Sequence, residues 1–230
     1  MVSAQLPLGI GLRDGATFDN FFAGPNTEVV VQLERGDEPF LFLWGSSSSG
    51  RSHLLQAACQ GMSGGGGGAV YLPLSDNVEL APEMLEGLET MALVAVDDLQ
   101  QVAGDTEWEL GLFHLYNRAR ESGCRIIVAA DAPPGALGIL LPDLRSRLGW
   151  GPVYQLLPLA DGDKRTALQL RARRRGMALS DEVANYILQR SPRDLHSLFS
   201  MLEHLDRASL AAQRRLTIPF VREQLAVIRS

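Results

Sequence analysis

The chain has 230 residues, 46% hydrophobic and 21% charged, enough apolar material for one sizeable core and a smaller second one. A formal net charge of −6 disfavours non-specific binding to DNA or to an acidic membrane surface, and no apolar run approaches the 18 residues of a membrane span. Cys59 and Cys124 lack metal-ligand spacing and the N-terminus lacks a basic stretch followed by an apolar one, so the expectations are reduced thiols, a cytoplasmic location, no membrane and a protein partner.

Residues 1–16 carry Pro7 and three glycines and read as an extended tail, within which Gln5, Leu6 and Leu8 suit a peptide that docks spaced side chains into a partner. Phe18, Phe21 and Phe22 then crowd together before a Gly24-Pro25-Asn26 turn. Such a cluster needs an apolar or flat surface, either the edge of a core or a nucleotide base.

A helix over 27–35 and a strand over 40–44 lead into Gly45-Ser46-Ser47-Ser48-Ser49-Gly50-Arg51-Ser52. This matches the phosphate-cradling pattern G-x-x-x-x-G-K-[ST] at every fixed position except 51. The glycines let successive N–H groups turn toward one anion, and the helix over 50–60, with His53 in its first turn, adds its positive end. Ser52 is placed to bind magnesium. Arg51 is a departure: a guanidinium is a wide planar fork, where a lysine ammonium is a point charge that fits between phosphates. The expectation is a protein that binds nucleotide and turns it over poorly.

A flexible connection of glycines at 64–68, a strand over 69–74 and a short helix over 82–87 come next. The apolar strand over 91–96 ends in Asp97 and Asp98, the paired acids that hold magnesium and a water in such sites, with Asp97 toward the metal and Asp98 toward the water. Trp108, Leu112, Leu115, Tyr116 and Ala119 recur at helical spacing and read as core. A buried strand over 125–131 carries Asp131 at its carboxyl end, which suits either a ligand group or a turn-initiating aspartate ahead of Pro133. Arg145 and Arg147 follow, two apart between a helix start and Gly149-Trp150-Gly151; residues two apart on a helix face different ways, so one binds its own protein and the other points outward.

After a strand over 153–156 everything reads as helical. Arg171, Arg173, Arg174 and Arg175 precede Gly176, cations at a helix C-terminus. A helix starts at Ser180. Ser191-Pro192-Arg193-Asp194 reads as a capping box that puts Arg193 in the first turn of the next helix, which buries Leu195, Leu198, Phe199, Leu202 and Leu205. A strand-like 216–218 and a helix over 219–228 close the chain.

Phosphate loop, paired-acid strand, polar strand end, arginine pair and helix-start arginine, in this order, resemble the AAA+ family. Thr17-Phe18-Asp19-Asn20-Phe21, Asp97-Asp98-Leu99-Gln100, Ser146-Arg147-Leu148-Gly149-Trp150-Gly151 and Pro192-Arg193-Asp194-Leu195 are similar to the branch that holds the replication initiator DnaA and its shorter relatives of the Hda type. The resemblance implies an α/β P-loop AAA+ domain over 17–160, with a parallel sheet flanked by helices, and a small all-helical lid over 161–230. It implies ADP (or ATP) with Mg2+, Arg147 as an arginine finger with Arg145 left to packing, Asp131 as sensor 1 and Arg193 as sensor 2. Gln5-Leu6-Pro7-Leu8 is similar to the peptide with which that branch binds the replicative sliding clamp, although Gly9-Ile10 departs from its usual ending. The implied partners are DnaA, the sliding clamp and further copies of the chain, with DNA contacted indirectly. The implied role is to promote hydrolysis of DnaA-bound ATP; the alternative is an ATP-hydrolysing motor or helicase loader.

Overall fold

The computed structural model describes residues 16–63, 68–75, 80–192 and 194–229. Gln5, Leu6 and Leu8 of the tail, and Arg193, lie outside the described residues.

Two compact units divide the chain, one on Asn26–Leu157 and one on Pro158–Ser230 together with Asp19–Pro25. Of the aromatic run before Asn26, Phe18 falls with the first unit and Phe21 and Phe22 with the helical one.

The first unit is built on five parallel strands, β1 (Phe40–Trp44), β2 (Ala69–Pro73), β3 (Leu93–Asp97), β4 (Arg125–Ala130) and β5 (Val153–Gln155), in the order β2-β3-β4-β1-β5. The central strands are near-continuous apolar runs because both faces are covered. On one face Phe40, Phe42, Val94, Val96, Ile126 and Val128 join Trp108, Leu112, Leu115, Tyr116 and Ala119 of α3 (Thr106–Ser122) in one core. Their alternating neighbours, such as Leu41, Leu43 and Ile127, face the other side, where α2 (Arg51–Ser63) lies over β2, β3 and β4. Helix α1 (Thr27–Arg35) stops at Gly36, and the buried Arg125 guanidinium covers its end by donating to the carbonyls of Leu33 and Glu38. Helix α4 (Pro142–Arg147) carries the arginine pair.

In the second unit α5 (Asp161–Arg174), α6 (Asp181–Arg190), α7 (Leu195–Ala212) and α8 (Ile218–Arg229) bury Leu168, Ile187, Leu198, Leu202, Leu205 and Val221 together. Three of the four arginines at the end of α5 have partners within the unit: Arg171 and Arg175 pair with Glu203, Arg175 also with Asp206, and Arg174 donates to the Asp19 carbonyl.

Two local expectations change. Helix α7 begins at Leu195 with Asp194 as its cap, the carboxylate accepting from the Ser197 N–H at 2.8 Å; Ser191 instead ends α6. A carboxylate at the positive end of a helix is the stronger acceptor, and Ser191 and Pro192 are left as a connection rather than a first turn. Leu216 and Thr217 form no strand, since Thr217 caps α8 through its carbonyl to Val221 N and its hydroxyl to Phe220 N.

Candidate functional site

Strands β3, β4 and β1 are neighbours, so the segments leaving their carboxyl ends meet. They are Asp97-Asp98 after β3, Asp131 after β4, and the loop from Gly45 to Gly50 after β1. Within that loop Gly50 has φ +100°, a conformation that strains any side chain, and it delivers the chain directly into α2. Ser46, Ser47 and Ser48 are exposed, while Ser49 is buried.

Arg51, the first residue of α2, crosses to the acid strand. Its Nη2 donates to Asp98 Oδ1 at 3.1 Å, with both side chains largely buried. Gln100 Nε2 donates to the same Asp98 oxygen at 2.9 Å, and Gln100 Oε1 accepts from the Asp131 N–H at 3.1 Å. One glutamine thus ties the acid to the end of β4. Asp98 itself sits in a left-handed conformation, φ +56° and ψ +45°, which a short polar side chain tolerates better than most.

Asp97 is 1% exposed, and both its oxygens are engaged: Oδ2 accepts from the Tyr71 hydroxyl at 2.8 Å and Oδ1 from the Asp98 N–H at 2.9 Å. The Ser52 hydroxyl is near enough to favour its charged form. Burial, reinforced by the Asp98 charge, pushes the Asp97 carboxyl above the usual carboxylate range against the pull of Ser52, Tyr71 and Arg51. Burial likewise pushes the Tyr71 phenol upward, so it stays a protonated donor. His53, grouped with the loop on sequence, reaches the Thr17 carbonyl with its Nε2 at 2.9 Å. The Asp131 side chain is exposed.

Buried polar atoms left without a partner show what the site fits. Ser49 Oγ and Arg51 Nη1 are both buried and have no hydrogen-bond partner among the described residues. A hydroxyl and a cationic N–H orphaned in a glycine-bounded loop at a helix start suit a phosphate, whose oxygens accept from both. Ser52 and Asp97, which lie near each other, are a donor set for magnesium, which takes one or two protein ligands and fills the rest with water and phosphate. Among the described residues no group of three or more His, Cys, Asp or Glu forms a metal cage of its own.

Of the arginine pair, it is Arg147 that its own protein holds and Arg145 that is exposed, the reverse of the division expected from sequence. Arg147 Nε donates to Asn117 Oδ1 at 2.9 Å, and its guanidinium carbon lies over the rings of Phe113 at 4.3 Å and Trp150 at 4.6 Å. Gly151 lets this turn lie on β1: a Cβ there would stand 1.7 Å from the Phe40 carbonyl oxygen. The start of α4 is fixed by Glu109, buried in α3, which accepts from the N–H groups of Leu140, Leu141 and Gly104.

Sequence reasoning missed Tyr71, Gln100, Glu109 and Asn117. Tyr71 had a signal, because a tyrosine in a buried apolar strand needs a partner for its hydroxyl. The other three sit at ordinary polar positions.

The family model described as "Hda, lid domain" matches residues 161–225, and that described as "Bacterial DnaA ATPAse domain" matches residues 79–155. Domain III of the Thermotoga maritima replication initiation protein DnaA is similar with a TM-score of 0.78 at 21% identity, over 94% of this chain and 98% of that one. DnaA from Aquifex aeolicus, in a structure bound to AMPPCP, is similar with a TM-score of 0.70 at 23% identity, over 84% of this chain and 65% of that one. A RuvB mutant from Thermotoga maritima has a TM-score of 0.67 at 15% identity, over 94% of this chain and 73% of that one. These identities speak for the fold alone; the two family models, which match the lid and the second half of the α/β unit, together with that fold support a Hda/DnaA-related AAA+ protein.

Proposed function

We propose that the chain is a nucleotide-binding regulator of replication initiation that retains its nucleotide and acts on a partner's. The observation that carries this reading is the Arg51–Asp98 ion pair. The loop cation that would steady a transferring phosphoryl group and the acid that would orient the attacking water bind each other, while Arg51 Nη1 and Ser49 Oγ remain for phosphate. Binding is thereby supported over turnover. ADP is the ligand proposed, with Ser52 and Asp97 as the residues that would hold magnesium, Asp131 as sensor 1 and Arg193 as sensor 2.

Arg147 is the arginine finger in this reading. Offered to ATP held by DnaA, it stabilises charge on the transferring phosphoryl group, an effect of about 10³ to 10⁵ in rate. Gln5, Leu6 and Leu8 are proposed to dock the chain on the sliding clamp, and the support is the peptide's likeness alone. The nucleotide carried through purification and the intrinsic turnover test the reading: tightly held ADP with negligible ATPase activity is expected. Sustained ATP hydrolysis that Asp98→Asn abolishes would favour a motor or helicase loader.

A further inference from the structure

A phenol buried in an apolar strand needs a partner for its hydroxyl, a demand that leucine or valine would not make. Tyr71, at the centre of β2 and 8% exposed, has one in Asp97. Val70 and Leu72 of β2, like Val94 and Val96 of β3, join the core on the α3 side, so alternation turns both Tyr71 and Asp97 toward α2. In the register of the two strands Tyr71 stands opposite Ala95, which puts Asp97 two residues further along the same face. The phenol spans that step, and its hydroxyl donates to Asp97 Oδ2 at 2.8 Å. Ser52 and Gln56, one turn apart on α2, are both near enough to the phenol oxygen to favour charge on it. Tyr71 thus meets Asp97 directly and lies beside Ser52, and these are the two residues that would hold magnesium.

The donor's chemistry suits that place. Asp97 is a buried carboxylate with a second acid next to it in sequence, and it keeps one orientation because both oxygens are held, Oδ1 by the Asp98 N–H and Oδ2 by Tyr71. Each oxygen retains a further lone pair, so the two bonds fix the group without exhausting it. A lysine or arginine at 71 would hold Oδ2 as firmly but set a positive charge against a cation. We propose that Tyr71 is a positioning residue for the magnesium site, which orients Asp97 beside Ser52 so that the cation is taken up together with the nucleotide's phosphates. This rests on the reading of Ser52 and Asp97 as the magnesium pair.

The test measures ADP binding by calorimetry, in EDTA and across a magnesium titration, for the parent, Tyr71→Phe and Ser52→Ala. Phenylalanine fills the same space and removes only the hydroxyl. Tyr71→Phe is expected to keep the parent's ADP affinity in EDTA and to raise the magnesium concentration for half-maximal tightening about tenfold, as loss of a group behind a metal ligand does. Ser52→Ala, which removes a ligand, is expected to lose the tightening. An unchanged magnesium requirement in Tyr71→Phe beside a lost one in Ser52→Ala overturns the positioning role and spares the magnesium pair. ADP affinity weakened equally with and without magnesium overturns it too, since Tyr71 would then only support the fold around the loop. An ADP affinity that magnesium does not change in the parent, or tightening kept in full by Ser52→Ala, removes the reading of the pair and this proposal with it. Independently of any variant, the Tyr71 hydroxyl proton of the parent should give a slowly exchanging NMR signal; rapid exchange with solvent overturns the proposal.

Discussion

Arg51, buried, and Arg147, half-buried, are the same side chain in one α/β unit, yet they have opposite prospects. Arg51 meets a carboxylate and is neutralised by it; Arg147 meets an amide and two rings and keeps its charge. Each is held by a neighbouring element, Arg51 by the segment after β3 and Arg147 by α3. The difference lies in the partner's chemistry. An ion pair occupies one terminal nitrogen of Arg51 and leaves the other for phosphate, whereas a neutral acceptor and aromatic faces satisfy geometry without consuming charge. In the proposed function the first arginine keeps a nucleotide and the second acts outside its own protein.

The comparison breaks most readily at the support of the Arg147 side. Gly151→Ala drives a Cβ into the Phe40 carbonyl, backbone that cannot turn away, and is expected to lower stability by about 3 kcal/mol in chemical denaturation. Little loss would mean that the turn does not lie on β1. On the Arg51 side, Arg51→Ala removes a charge-assisted contact to phosphate and is expected to weaken ADP binding by roughly 1.5–3 kcal/mol by calorimetry. Parent-like affinity would place the phosphate elsewhere.

The smallest effect sharpens the Arg51 side through its neighbour. Burial raises the Asp97 carboxyl in the folded state, so its contribution to stability is fully present below the unfolded carboxylate pKa and is lost as pH rises through the folded one. Near neutrality the ionised carboxylate is therefore a cost. Asp97→Asn should raise the thermal midpoint of the nucleotide-free protein by on the order of 1–3 °C at neutral pH, a gain that vanishes in acid. A midpoint that falls at neutral pH would show that the hydrogen bonds of the charged form outweigh its burial.

Much of this molecule was legible in its sequence, and where it was not the reason is spacing. The run Phe40–Trp44 and the acids after β3 announce themselves because a strand, a turn and a helix are contiguous, and periodicity reads contiguous elements well. The arginine division failed because two residues apart on a helix says only that they diverge; which one is captured depends on Asn117, thirty positions away in sequence. The Arg51–Asp98 pair was hidden likewise, its members 47 positions apart and joined only by the sheet order. The cap of α7 was misplaced because Ser191 and Asp194 both satisfy the local pattern, and the end of α6 had already claimed the serine.

The most direct measurement is the rate of DnaA-bound ATP hydrolysis with clamp, DNA and either Arg147→Ala or Arg145→Ala, each first matched to the parent in ADP affinity. The account predicts that Arg147→Ala loses stimulation by two orders of magnitude or more, while the exposed Arg145→Ala retains most of it. Full stimulation by Arg147→Ala would contradict the account, for the arginine that the fold holds in readiness would then have no task.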